Sequence, residues 1–180
     1  VHPIIAFASI GAHQAKPFIG HGAPDGHASG HAACPSQESN RKLVLDIMSE
    51  LIMNYKVQGI HLDYMRYPNA SYSLKYPCEC DACREYRKNL FGEEVFTGED
   101  MKEPGKLYKE LTMRDEVIKG FVKEIRNLTS SAGIELSMAA RERYSRFALA
   151  EGQDWVEWSK EGLVDVISPM SYSPDFDTFK

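Results

Sequence analysis

Four short segments of the chain combine β-branched and other apolar residues with little charge. They are residues 3–11 (PIIAFASIG), 59–67 (GIHLDYMRY), 134–141 (IELSMAAR) and 164–172 (VDVISPMSY). Runs of this length and composition are typical of buried strands. The pattern therefore predicts four strands that are largely removed from solvent.

Segments with a helical repeat of apolar residues lie between these strands. In residues 42–55 the apolar side chains recur every three to four positions, and Asn40 is a suitable N-cap. Residues 107–128 form the longest such segment, and shorter ones cover residues 81–90 and 153–161. Strands that alternate with helices predict right-handed βαβ units and a parallel sheet.

The predicted fold class is α/β, built from parallel βα units. Four such units make a partial TIM barrel, about half of the eight-stranded fold, for which roughly 250 residues are typical. We therefore expect residues 1–180 to be a single catalytic-type domain and a fragment of a longer barrel. The alternative is a complete, open, doubly wound sheet. Both folds place functional residues in the loops that follow the strands.

The second predicted strand carries an acid on one face. Alternation along residues 59–67 places two aliphatic side chains on one face and His61 and Asp63 on the other. A carboxylate in a barrel interior is costly unless it is paired or used, so Asp63 is the first catalytic candidate. Arg66, at the carboxyl end of this strand, is expected to pair with it or orient it. The alternative is that Asp63 only holds a loop or an arginine.

Further candidates follow the other predicted strands. Arg141 is a potential ligand of a substrate hydroxyl or carboxylate, and Glu142 is the best visible second carboxylate. A glycosidase needs two carboxyl groups, about 5–5.5 Å apart for retention or about 6.5–9.5 Å apart for inversion. Alternatively, Glu142 belongs to a solvated charge cluster and the second acid lies outside this chain. The residues expected to contact substrate lie at or after strand ends, namely His13, His61, Arg66, Tyr67, Arg141 and Tyr172.

Two segments resemble a known family. GIHLDYMRYP, residues 59–68, resembles the strand DGIHLDYIRYP of glycoside-hydrolase-like barrel proteins of the glycosyl-hydrolase-like family 10 type. Residues 158–172 are similar to the later strand of those proteins, W…G-x-x-D-x-I-x-P-M-x-Y. The resemblance implies a glycosidase-type barrel that acts on an oligo- or polysaccharide, with Asp63 as nucleophile or general acid/base. One departure is Gln58, which stands where the family motif usually has Asp.

Three of the four cysteines follow the second predicted strand as Cys78-x-Cys80-x-x-Cys83, and Cys34 closes the loop after the first. Neighbouring strands lie roughly 4.8 Å apart, so their following loops emerge together and the four sulfurs can converge. Four thiolates form the closed arrangement of a structural zinc site. The spacing also resembles the zinc cluster of family 42 β-galactosidases. Two disulfides and free thiols are the alternatives.

Composition and charge limit the partners. The chain has 43% apolar and 26% charged residues and a formal net charge of −5, and its Lys and Arg are scattered among Asp and Glu. Because nucleic-acid binding draws much of its affinity from neutralised phosphates, nucleic acid is not an expected partner. No apolar run approaches the roughly 18 to 20 residues that a membrane-spanning helix needs. No organic cofactor is expected.

The sequence thus predicts a glycoside hydrolase with a carbohydrate substrate and a structural zinc ion. One alternative is a non-catalytic carbohydrate-binding barrel with the same crevice. Another is a metal-dependent hydrolase that uses His13, His61 and Asp63. Enzymes of polysaccharide metabolism are often exported, which favours a secreted or periplasmic location. No pattern in the sequence specifies an oligomeric state.

Overall fold

A computed structural model describes residues 4–6, 34–67, 70–93 and 96–172 of the chain. The strands are β1 (Ile4–Ala6), β2 (Gly59–Asp63), β3 (Glu135–Ala140) and β4 (Val166–Pro169). The α-helices are α1 (Glu38–Asn54), α2 (Ala70–Ser73), α3 (Asp81–Phe91), α4 (Pro104–Ala132) and α5 (Trp155–Lys160). Within these ranges, the remaining helical turns are two 3-10 helices, Asp100–Lys102 and Leu149–Glu151, and a π-helix, Tyr144–Ala148.

The described strands pair in parallel in the order β1-β2-β3-β4. This order is sequential, whereas a doubly wound sheet reverses its strand order at a switch point. The predicted α/β class and the parallel pairing are therefore confirmed. In the described part of the chain, no helix is long and apolar enough to cross a membrane.

The strand register sorts the side chains onto two faces. His61 pairs with Ser137, and Ser137 with Val166, so the three share a face. Leu62 pairs with Met138 on the opposite face, and both are fully buried. The first face, called the inner face below, carries the polar residues His61, Asp63, Ser137 and Ser168 together with Ala139 and Val166, and β1 contributes Ile4 and Ala6 at the paired positions.

The main apolar core lies on the Leu62 side of the sheet. Helices α1, α4 and α5 pack there through Met48, Phe121 and Trp158, all fully buried. Burial of each large apolar side chain contributes about 1.5–3 kcal/mol. Among the described residues, none on the inner face belongs to this core cluster. The helices therefore cover one side of the sheet, and the polar side chains of His61, Asp63, Ser137 and Ser168 lie on the other.

The ends of the helices follow from local chemistry. Gly92 and Gly133 end α3 and α4 with φ angles of 73° and 66°, the left-handed conformation that glycine adopts at little cost. At α1 the predicted N-cap, Asn40, is wrong, because the helix begins two residues earlier. The Asn40 side chain is buried inside the first turn, where Nδ2 donates a hydrogen bond to the Cys34 carbonyl at 3.0 Å. Asn40 therefore supports the cysteine loop.

Candidate functional site

Four cysteine side chains converge between the segment before α1 and the start of α3. The Sγ atom of Cys34 is 3.5 Å from that of Cys83, 3.6 Å from that of Cys80 and 3.8 Å from that of Cys78. All four sulfurs lie within 4.8 Å of one another, and none is in a disulfide. In a tetrahedral zinc site with Zn–S bonds of about 2.3 Å, neighbouring sulfurs are about 3.8 Å apart. The four thiols are therefore spaced to hold a metal ion.

The main chain that carries these cysteines is held by side chains from two helices. From α3, Arg87 donates a hydrogen bond to the Cys78 carbonyl at 2.7 Å, and from α1 Asn40 donates to the Cys34 carbonyl at 3.0 Å. Cys80 is the N-cap residue of α3, so the helix start sets its position. Because the backbone is anchored on both sides, the sulfurs keep the spacing that a metal ion requires.

Mutual hydrogen bonding and burial change the acidity of the thiols. Hydrogen bonding with Cys34 lowers the pKa of Cys80 to about 7. Hydrogen bonding with Cys78, together with burial, raises the pKa of Cys34 well above its usual value. The thiolate is the form that binds metal, and a bound cation favours it. Four sulfur ligands of this kind fit zinc and leave no coordination position open for a substrate.

A buried ionic network lies behind the cysteine cluster. The Nε atoms of Arg87 and Arg114 contact the two carboxylate oxygens of Glu110 at 2.9 and 3.0 Å, and all three side chains are excluded from solvent. The network carries one net positive charge, and Arg87 also contacts the main chain at Cys78. A zinc ion bound by four thiolates would carry two net negative charges, and this network would offset part of that charge.

Tyr67, expected to contact substrate, is instead fully buried. Its hydroxyl lies 3.1 Å from Ser36 Oγ, which is 3.2 Å from Cys83 Sγ. The guanidinium of Arg114 lies 5.2 Å from the ring centroid, and burial raises the pKa of Tyr67 well above its usual value. The predicted substrate contact is therefore wrong, because Tyr67 links the segment after β2 to the cysteine cluster.

Asp63 ends β2 and is partly exposed on the inner face. Its Oδ1 accepts a hydrogen bond from the Tyr64 main-chain N at 2.7 Å, and Tyr64 has a φ of 54°, which is uncommon outside glycine. The guanidinium of Arg66 lies 4.7 Å from the Tyr64 ring centroid and pairs with Glu151. Among the described residues no ion pair joins Arg66 to Asp63, so the predicted pairing is wrong.

Glu151 is a buried carboxylate that the sequence reasoning missed. Its Oε2 lies 2.8 Å from Arg66 Nη1 and 3.3 Å from Arg141 Nε, and its Oε1 accepts a hydrogen bond from the main-chain N of Ala70 at 3.2 Å. The side chain has no exposed surface. Glu151 therefore pairs with both Arg66 after β2 and Arg141 after β3, and it takes the place expected for Asp63 as the partner of Arg66.

The two residues after Glu151 explain how the chain reaches this position. Gly152 has a φ of 73°, and a Cβ atom there would lie 2.9 Å from the main chain of Arg114, so this turn requires glycine. Gln153 is buried, accepts a hydrogen bond from the Arg141 main-chain N at 2.6 Å and donates to the Met65 carbonyl at 3.3 Å. An acid and an amide flanking a glycine were the only sequence signal for this turn.

The structure places the other predicted site residues as follows. His61 lies on the inner face with Nδ1 2.9 Å from Ser137 Oγ. Glu142 is partly exposed just beyond β3, and no hydrogen bond or ion pair joins it to another described residue. Tyr172 is 85% exposed after β4. His13 lies outside the described residues.

A groove of about 620 Å³ lies between the segment after α2 and the 3-10 helix that precedes α4. Its lining includes Tyr76, Gly98 and Met101. None of the predicted catalytic, substrate-binding or metal-binding residues lines it. This groove is therefore distinct from the inner face and from the cysteine cluster.

No protein-family model matches the sequence, and no curated protein matches it significantly. The structure itself supplies an α/β fold, a polar inner face that carries Asp63, and a cluster of four cysteines that can hold a metal ion. Inferences about function are therefore drawn from this geometry.

Proposed function

We propose that the chain is part of a TIM-barrel glycoside hydrolase that acts on an oligo- or polysaccharide, with Asp63 as a catalytic carboxylate. The observation that supports this proposal is the one-sided sheet, in which the helices cover one face while Asp63 and His61 stand on the other. In barrels of this kind substrate binds at the carboxyl ends of the strands, where Asp63 lies. The sequential strand order is also that of a barrel.

Glu142 is the second carboxylate of the proposed mechanism. It follows β3, the strand next to β2, and neighbouring strands lie about 4.8 Å apart. Leu62 pairs with Met138, so Glu142 lies three residues beyond the position level with Asp63. The mechanism therefore requires the segment after β3 to bring the two carboxyl groups to the roughly 5–9.5 Å that retention or inversion needs. Glu151 does not serve this role, because it is buried and both of its oxygens are engaged. His61 is available to hydrogen-bond a substrate hydroxyl.

We also propose that Cys34, Cys78, Cys80 and Cys83 bind one zinc ion with a structural role. The supporting observations are the sulfur spacing, the burial of three of the four side chains and the positive network behind them. A zinc ion supplies crosslinking there, joining the start of α3 to the segment before α1. Because four thiolates complete the coordination, this ion does not take part in hydrolysis.

The test of the proposed reaction is Asp63→Asn in the full chain, assayed for hydrolysis of a panel of oligosaccharides. The amide oxygen still accepts the hydrogen bond from Tyr64, so the turn after β2 is retained and the melting temperature should be unchanged. Loss of the carboxylate is expected to lower turnover about 10²–10⁴-fold. Asp46→Asn, on the exposed side of α1, is the matched control and should leave turnover unchanged.

Two results would contradict this mechanism. Turnover at the wild-type rate in Asp63→Asn would show that another group performs the catalysis. Glycan binding without turnover in the wild-type chain would favour the non-catalytic carbohydrate-binding barrel. Isothermal titration with the same oligosaccharides distinguishes that outcome from a chain that does not recognise glycans.

A further inference from the structure

Three arginine side chains surround one phenyl ring just beyond β3. The guanidinium carbons of Arg141, Arg146 and Arg143 lie 4.9, 5.2 and 5.8 Å from the centroid of the Phe147 ring. A cation over an aromatic face at this distance is favourable even at an exposed site. The ring therefore gathers three positive charges at one place on the surface.

A fourth arginine reaches the same place from the neighbouring strand. Arg66, three residues after β2, shares the carboxylate of Glu151 with Arg141. The two strand ends are thereby joined through one buried acid. The arginine cluster, as the term is used below, consists of Arg66, Arg141, Arg143 and Arg146.

The segment that carries the cluster has an unusual backbone. Arg143 has a φ of 49°, and the π-helix Tyr144–Ala148 follows it directly. Left-handed non-glycine residues and π-turns are uncommon and occur often at functional sites. Side chains hold this conformation, because the Tyr144 hydroxyl donates to Asp154 at 2.6 Å and its ring packs edge-on against Trp155. The positions of Arg143 and Arg146 are therefore set by the fold.

The cluster has more positive charge than the acids that contact it. Its four guanidiniums meet one carboxylate, that of Glu151, which pairs with Arg66 and Arg141. Arg143 and Arg146 are exposed, and neither forms an ion pair within the described part of the chain. The chain as a whole has a net charge of −5, so this excess is local. Like charges held together repel, and a bound anion relieves that repulsion.

We propose that Arg143 and Arg146 bind an acidic group on the glycan, a carboxylate or a sulfate, so that the substrate is an anionic saccharide. This inference rests on the proposed function and specifies its substrate class. Guanidinium groups bind planar and tetrahedral oxyanions through paired hydrogen bonds, which makes arginine well suited to this task. Arg66 and Arg141, which are both held by Glu151, place the cluster at the carboxyl end of the sheet, next to Glu142 in the chain.

Isothermal titration of the full chain tests this proposal. The probes are a glucuronate-containing oligosaccharide, its carboxyl-reduced neutral form and a sulfated form of that neutral oligosaccharide. The variant is Arg143→Gln with Arg146→Gln. The control is Lys56→Gln with Lys160→Gln, which removes the same charge from exposed positions that precede β2 and β4. Arg146→Gln alone repeats the test without altering the left-handed residue.

We expect the wild-type chain and the lysine control to bind one of the acidic probes at least about tenfold more tightly than the neutral probe. The arginine variants should lose this preference, and added salt should weaken acidic binding in the wild type more than in the variants. The probe that is preferred identifies the acidic group as carboxylate or sulfate.

Several outcomes would overturn the inference. Equal binding of acidic and neutral probes by the wild type contradicts it, as does an acidic preference that persists in the arginine variants. If the neutral probe binds as tightly as the acidic probes and its turnover depends on Asp63, the inference is overturned and the proposed function remains intact. Failure of every probe to bind or be hydrolysed overturns both.

Discussion

Replacement of Glu151 by glutamine preserves the shape of a buried side chain and removes its charge. In the wild type, one carboxylate oxygen contacts Arg66 and Arg141, and the other accepts a hydrogen bond from the Ala70 main chain. A glutamine amide has one acceptor oxygen and one donor nitrogen. In either orientation, the amide nitrogen faces a group that also donates. The variant therefore loses either the contacts with the two arginines or the hydrogen bond from the Ala70 main chain.

The size of the effect follows from the burial of the three side chains. Removing one partner of a buried ion pair costs about 3–5 kcal/mol, because the other charge is left unpaired. Glu151 is fully buried, but the side chains of Arg66 and Arg141 are 10% and 21% exposed, so water relieves part of the cost. We therefore expect a loss of about 3 kcal/mol. In a chain of 180 residues, this lowers the melting temperature by about 6–12 °C.

Thermal unfolding followed by circular dichroism at pH 7 measures this loss, and urea unfolding gives an independent free energy. Glu99→Gln is the control, since the Glu99 side chain is 82% exposed and its salt bridge to Lys102 lies on the surface. Surface pairs contribute about 0–1 kcal/mol, so the control should melt within about 3 °C of the wild type. A loss of stability of this size is expected only for Glu151→Gln. Equal melting temperatures for the two variants would refute the role assigned to the buried carboxylate.

Two further predictions concern the metal centre and the pH dependence of stability. Cys83→Ser should reduce bound zinc from about one equivalent to less than about half an equivalent. Elemental analysis of the chain prepared without chelator measures the zinc content. A wild-type chain with less than about half an equivalent of zinc would contradict the metal proposal. Burial raises the pKa of Asp115 on α4 from its ordinary 3.8 to about 6, so its ionisation opposes folding and stability falls as the pH rises from about 4 to 6. Asp115→Asn should remove this fall in melting temperature. A pH profile identical to that of the wild type would contradict the assignment.

Several features of the site could be predicted from local pattern. Alternation along β2 correctly placed His61 and Asp63 together on one face, because successive side chains of a strand point to opposite sides. The close spacing of Cys78, Cys80 and Cys83 indicated their convergence, because a short segment can bring its own side chains together. These features depend on neighbouring residues alone.

The partners of Arg66 and Tyr67 could not be predicted in this way. Arg66 pairs with Glu151, which lies 85 residues further along the chain, and the Tyr67 hydroxyl meets Ser36 from the segment before α1. No local period links such positions, since their contact depends on which loops become neighbours when the sheet forms. The left-handed turn at Gly152 and the π-helix after Arg143 likewise exist only in the folded chain.

The amino-acid sequence by itself determined the four described strands, the helices α1, α3, α4 and α5, the face that carries Asp63 and the set of four thiols. Each of these follows from backbone periodicity or from short spacing along the chain. Only the tertiary structure decided which charges neutralise each other and which remain open to a ligand. The reason is that ion pairs form between side chains that are close in space, and the packing of helices and loops around the sheet brings distant residues together.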